Sequence, residues 1–138
     1  MKIVIMGCGR VGSQLAARLD QEGHQVSVVD INQKAFDRLP PEFNGRTVLG
    51  TAIDEDVLRQ AGIEVADAFV AMTEGDNRNI MAAQIAKHVF KVERVVTRIY
   101  DPIRQDTFKA LGLDAVSPTV IGAQVFYGML TGEESQES

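Results

Sequence analysis

Six residues near the amino terminus, Gly7-Cys8-Gly9-Arg10-Val11-Gly12, have the types and spacing of a loop built to hold phosphate. A G-x-G-x-x-G run alone is a weak signal. Here it follows an apolar run of strand length, Lys2–Met6, and opens a segment of helical period from about Val11 to Glu22. In that context each glycine has a task. Gly7 permits the tight turn, Gly9 lets the backbone approach a pyrophosphate, and Gly12 lets helix and strand pack closely. The helix then turns its unpaired N–H groups and partial positive charge toward the phosphates. Asp30 lies 18 residues past Gly12, at the end of the next apolar run, and is placed to accept hydrogen bonds from ribose hydroxyls. A carboxylate there repels a 2′-phosphate, which favours NAD or a plain adenine nucleotide over NADP. Ile31 and Asn32, directly after Asp30, are counted with the same site.

Other residues allow two roles each. Arg10 either reaches a terminal phosphate with its guanidinium or is a solvated side chain at a helix start. Cys8 is either a thiol of lowered pKa near a helix N-terminus or a small residue that fits under the phosphates. Gly50-Thr51-Ala52 and Met72-Thr73 follow the third and fourth apolar runs, at the carboxyl ends where open α/β sheets hold ligands. Thr51, Ala52, Met72 and Thr73 therefore join the candidate list. Asn77 either meets ligand or helps Asp76 cap the next helix. Arg98 either contacts a second phosphate or a neighbouring subunit, or pairs with Asp101.

Around these residues, strand-length apolar runs alternate with helical segments along the whole chain. The expected strands are Lys2–Met6, Gln25–Asp30, 47–49, 68–72, Arg94–Arg98 and Asp114–Val116. Between them the pattern predicts helices over about 33–39 (stopped by Pro40-Pro41), from the cap Asp54 to Gly62, over 76–89, from Asp101-Pro102 to Gly112, and from Ser117-Pro118 to about Leu130. Six such units predict one α/β domain, a Rossmann-type doubly wound parallel six-stranded sheet over 1–130. The polar, acidic tail 131–138 is expected to be disordered. The last helix is unusual. Val120, Ile121, Ala123, Val125, Phe126, Tyr127, Met129 and Leu130 make it apolar almost all round, so it is expected to cross onto a neighbouring copy.

Composition narrows the functions. The 138 residues are 45% hydrophobic, enough for a real core, and carry a formal net charge of −5, against nucleic-acid binding through a broad basic surface. A single cysteine excludes an intramolecular disulfide and fits a reducing, cytosolic setting. No stretch approaches the roughly 18 apolar residues of a membrane span. The amino-terminal apolar run is too short for a signal peptide. There is no Gly-x-x-x-x-Gly-Lys-Ser/Thr loop, neither Tyr100 nor Tyr127 is followed four residues on by Lys, His24 and His88 are isolated, and no Cys/His cluster reads as a metal site. The residues offer a cofactor site without evident chemistry, so no catalytic residue is named.

Gly7-Cys8-Gly9-Arg10-Val11-Gly12, Gln21-Glu22-Gly23-His24, Val28-Val29-Asp30, Gly50-Thr51-Ala52 and Thr73…Asp76-Asn77 together resemble the RCK (KTN, TrkA-N) domain over roughly residues 1–130. That resemblance implies a non-catalytic regulator of a potassium transport system. Its ligand would be NAD(H), ATP or ADP, its assembly a homodimer or higher ring, and its partner a membrane potassium transporter or channel pore subunit that it gates from the cytoplasmic side. It also implies that Thr51 and Ala52 lie near the adenine and that Arg10 contacts a terminal phosphate. Many members carry Asp after the glycine at position 50, where this chain has Thr51, and many carry a second ligand-binding subdomain, not expected here. Two enzyme readings compete with regulation: a small NAD-dependent oxidoreductase domain or fragment, and a methyltransferase, which the glycine spacing disfavours.

Overall fold

The computed structural model describes residues 1–133, and the expected tail from 134 onward lies outside them. Strands β1 (Lys2–Met6), β2 (Gln25–Asp30), β3 (Arg46–Leu49), β4 (Ala68–Ala71), β5 (Arg94–Arg98) and β6 (Asp114–Val116) form one sheet. Their order is β3-β2-β1-β4-β5-β6, and every pair is parallel. This is the doubly wound α/β arrangement that the alternating pattern predicts. The direction of winding reverses between β1 and β4, and the glycine loop leaves β1 at that switch point.

Burial explains why β1 is central. Four of its five residues are buried on alternating faces. Ile3 and Ile5 pack with Val26, Val28 and Ala35 against Ala16 of helix α1 (Arg10–Gln21). Val4 and Met6 face the other way, joining Val29, Phe69, Ala71 and Val95. That second core is closed by Leu58 of α2 (Glu55–Gln60), Ala82 and Ala83 of α3 (Asp76–Gln84), and Phe108 of α4 (Gln105–Ala110). A parallel strand covered on both sides needs such an uninterrupted apolar run.

Three expected helix starts are seen as side-chain caps. Asp54 accepts from the Asp56 N–H at 2.9 Å and Asp101 from the Ile103 N–H at 3.1 Å. Ser117 accepts from the Val120 N–H at 3.3 Å, opening α5 (Pro118–Thr131). Other details differ from the expectation. The segment Gln33–Arg38 is a tight 3-10 turn, fixed by Asn32 accepting the Lys34 N–H, and not an α-helix. Residues 76–89 are α-helical only to Gln84, then widen into a π turn over Ile85–Val89. Asp76 does not cap α3. Gly75 holds the cap position, while the Asp76 carboxylate accepts the N–H groups of Tyr100 and Asp101 at 2.8 and 3.2 Å. Among the described residues no helix is long and apolar enough to cross a membrane.

The glycine loop shows why two of its glycines are needed for the fold itself. Gly7 has φ +108°, and a Cβ there would press on the Met72 carbonyl at 2.8 Å. A Cβ on Gly12 would fall on the Gly7 carbonyl oxygen, far inside contact distance, whereas one on Gly9 would meet nothing within 4 Å. Gly12→Ala is therefore expected to cost about 1–3 kcal/mol or more of stability, as forced overpacking does. Gly9→Ala should stay within about 0.5 kcal/mol of the parent. Denaturant unfolding of the two variants checks this, and equal stabilities would refute the packing argument.

Candidate functional site

Helix α1 begins at Arg10 with no side-chain cap, so its first N–H groups face outward beside the loop. The loop itself is held by side chains from two places. Asp30, ending β2, accepts the Cys8 N–H at 2.8 Å through one oxygen and the Asn32 N–H at 2.8 Å through the other. Arg38, at the end of the 3-10 turn, donates to the Cys8 carbonyl at 3.3 Å. Each carboxylate oxygen keeps a further lone pair for a ligand hydroxyl.

Around this loop lies a cleft of about 720 Å³ at the carboxyl ends of the strands. It gathers Gly7, Cys8, Gly9, Arg10, Val11, Asp30, Ile31, Asn32, Thr51, Ala52, Met72, Thr73 and Arg98 from five separate stretches of chain. Its volume falls in the range of small-molecule sites. Gly12 is the exception among the candidates. It is buried behind the loop and packs on Gly7 instead of lining the cleft. A second cavity, of about 730 Å³, lies at the opposite ends of β1, β2 and β3 and is lined by Lys2, His24, Gln25 and Arg46 among others. Open α/β sheets hold ligands at the carboxyl ends, which selects the cleft at the loop.

Several cleft residues escaped the sequence reading: Arg38, Glu74, Arg78 and Tyr100. Arg38 had one usable signal, its place eight residues after Asp30 on a turn that must fold back over the loop. Arg98 does not pair with Asp101, whose carboxylate is committed to capping the following turn. The ion pairs among the described residues are Arg18–Glu22, Arg59–Glu55 and Arg59–Asp56. Arg98 instead lies over the Tyr100 ring, 4.3 Å from its centre, with a buried Nε that has no hydrogen-bond partner. Asn77 accepts from Arg104 at 2.6 Å, outside the cleft. His24 accepts from the amino terminus at 2.9 Å and is remote from the loop. Among the described residues no group of His, Cys, Asp and Glu is arranged to hold a metal.

Residues 3–118 match the family described as the TrkA-N domain. The chain belongs to the TrkA-N domain family. It is 53% identical over 117 residues to "Trk system potassium uptake protein TrkA" of Streptomyces coelicolor, an overlap covering 85% of this chain and 52% of that protein. The chain spans about half the length of the curated relatives it matches. Among solved structures, the GsuK channel bound to NAD superposes with a TM-score of 0.80 at 30% identity, over 97% of this chain and 24% of that one. GsuK bound to ADP superposes at 0.79, also 30% identical, over 96% and 34%. The TrkA-N membership agrees with the resemblance drawn from the loop and strand-end motifs.

The thiol in the TrkA-N loop is the reverse of an activated one. Cys8 is wholly buried, and burial first, then the Asp30 carboxylate, push its pKa up from 9.0 to about 11, with Arg38 opposing. The folded state thus holds this proton when the unfolded chain has lost it. The associated stability is full below pH 9 and is lost as pH rises toward 11. Cys8 is expected to resist alkylation by iodoacetamide at pH 8 until denaturant is added. Rapid alkylation of the folded protein would place the thiolate outside this buried setting.

Proposed function

We propose that this chain is the nucleotide-sensing domain of a potassium-uptake regulator, and that it works without catalysing a reaction. One observation carries the reading: the glycine loop opening α1 and the Asp30 carboxylate ending β2 border one cleft at the switch point of the sheet. Support comes also from the relative named as a Trk potassium uptake protein and from the GsuK structures with NAD and ADP. The open space before Gly9 fits a pyrophosphate, since nothing lies within 4 Å of where a side chain would begin. The first N–H groups of α1 and Arg10 would hold the phosphates, Asp30 the ribose hydroxyls, and Ile31, Asn32, Thr51 and Ala52 the adenine side. Arg10 is exposed and free to reach a terminal phosphate of ATP. Met72, Thr73 and Arg98 would border whatever extends past the second phosphate.

The regulator reading also assigns a cytoplasmic place and a membrane-embedded potassium pore as the partner. Assembly is proposed to run through α5, which has no buried residue of its own. Phe126, Met129 and Leu130 are 69%, 78% and 86% exposed, so its apolar surface has no cover within the described chain. A second copy of the same helix supplies that cover symmetrically.

Two experiments test this. Calorimetric titration with NAD, NADH, ATP, ADP and S-adenosylmethionine should show binding of adenine nucleotides. Asp30→Ala should weaken it tenfold or more, because a hydrogen bond to a charged group contributes about 1.5–3 kcal/mol. An Asp30→Ala protein that is folded and binds as before would remove Asp30 from the site. For assembly, sedimentation should give at least a dimer for the full chain and a monomer for a chain stopped after Ser117. A monomeric full chain at micromolar concentration, or a shortened chain that still associates, refutes the role of α5.

A further inference from the structure

The half of the cleft on the β4–β5 side is shaped by a residue that does not line it. Asn79, in the second turn of α3, has no exposed surface. Its side-chain oxygen accepts the Thr73 N–H at 3.0 Å and the Thr73 hydroxyl at 2.6 Å. Its amide nitrogen donates to the Thr73 carbonyl at 3.0 Å and to the Arg98 carbonyl at 3.1 Å. All four hydrogen-bonding valences are used, and only this orientation of the amide satisfies them. A buried amide is costly unless fully paired, so this one is specific to its partners.

The position of those partners gives the pairing a purpose. The β4–β5 ladder ends at Ala71 opposite Thr97. No ladder pair continues beyond it, and Asn79 straps the two strand ends together across Thr73 and Arg98. Those are the residues that the two strand ends deliver to the cleft. The Arg98 guanidinium is further fixed by the Tyr100 ring beneath it, and the Tyr100 N–H is held by Asp76 at 2.8 Å. The Arg98 Nε is itself buried with no hydrogen-bond partner, and it is the partly exposed residue as a whole that lines the cleft.

We infer that Asn79 is a positioning residue that fixes the distal half of the cleft and thereby sets a preference for dinucleotide-type ligands, NAD or ADP-ribose, over ADP. The inference rests on the nucleotide reading above and adds a division of labour to it. The loop and Asp30 hold the ADP portion that all three ligands share. Thr73 and Arg98, set by Asn79, meet only the part beyond the second phosphate.

Titration of the full chain with NAD, ADP-ribose and ADP separates these claims. Asn79→Ala should weaken NAD and ADP-ribose about tenfold, the equivalent of roughly one hydrogen bond, and leave ADP within about twofold. Thr73→Val removes the hydroxyl that Asn79 accepts and should act in the same direction, while Thr73→Ser restores the parent ratio. That pair decides the matter if Asn79→Ala does not fold. Equal losses for all three ligands, no loss for any, or failure of Thr73→Ser to restore the ratio overturns the inference. A parent protein that binds ADP as tightly as NAD overturns it too, while leaving the nucleotide reading intact. A parent that binds none of the three overturns both.

Discussion

The Cys8 peptide is gripped from two sides, its N–H by the Asp30 carboxylate and its carbonyl by the Arg38 guanidinium. The neighbouring residues are glycines without side chains, and Gly7 is held through its N–H on the Val29 carbonyl at 2.8 Å. Behind the peptide, Gly12 sits against the Gly7 carbonyl so closely that no Cβ fits between them. The start of α1 is thereby drawn up against the end of β1. These two constraints fix where the uncapped helix N-terminus points, and hence where an anion is favoured. The cleft exists because the loop is held down on one side and packed tight on the other.

Charge follows the same plan on a smaller scale. The whole chain carries a formal charge of −5, yet four arginines (Arg10, Arg38, Arg78 and Arg98) line the cleft against two carboxylates, Asp30 and Glu74. Screening in physiological salt acts over about 8 Å, so a bound phosphate senses this local excess more than the distant acidic surface. Asp30 is not a flaw in an anion site. Its oxygens are engaged with backbone N–H groups and retain capacity toward hydroxyls, which is what the proposed ribose contact requires.

The sheet was legible in the sequence because buried parallel strands must be short apolar runs with sharp ends. Residues 2–6, 25–30, 94–98 and 114–116 could be read with their observed bounds for that reason. The loop and Asp30 were legible because backbone geometry dictates glycine at set positions. What escaped depends on through-space partners. Whether 33–38 winds as a 3-10 turn or an α-helix is decided by a few hydrogen bonds, not by periodicity. An aspartate before a helix looks like a cap, but Asp76 is drawn to the Tyr100 and Asp101 N–H groups across the sheet edge. Asn79 carried no signal at all. An asparagine inside a helical segment reads as a solvated residue until the ends of β4 and β5 are known to surround it.

The two unfinished regions of the molecule, the distal cleft and α5, are close together in the fold. Arg98 is paired with Val116 across β5 and β6, and the Ile99 N–H donates to the Val116 carbonyl at 2.9 Å. Ser117, the next residue, caps α5. One strand pairing and one cap therefore separate Arg98 from the root of the exposed helix. Regulation requires a ligand to interact differently with two arrangements of the chain. In the proposed binding mode the shared ADP portion lies on the β1–β2 side, three or more strands from β6, the strand before α5. In that mode the part beyond the second phosphate lies by Thr73 and Arg98, the latter on β5, next to the strand from which α5 springs. If α5 joins copies of this domain, the ligand's distal half is the part with mechanical access to that junction. On that proposal, ligands that differ only there are the ones to which the α5 junction would respond differently.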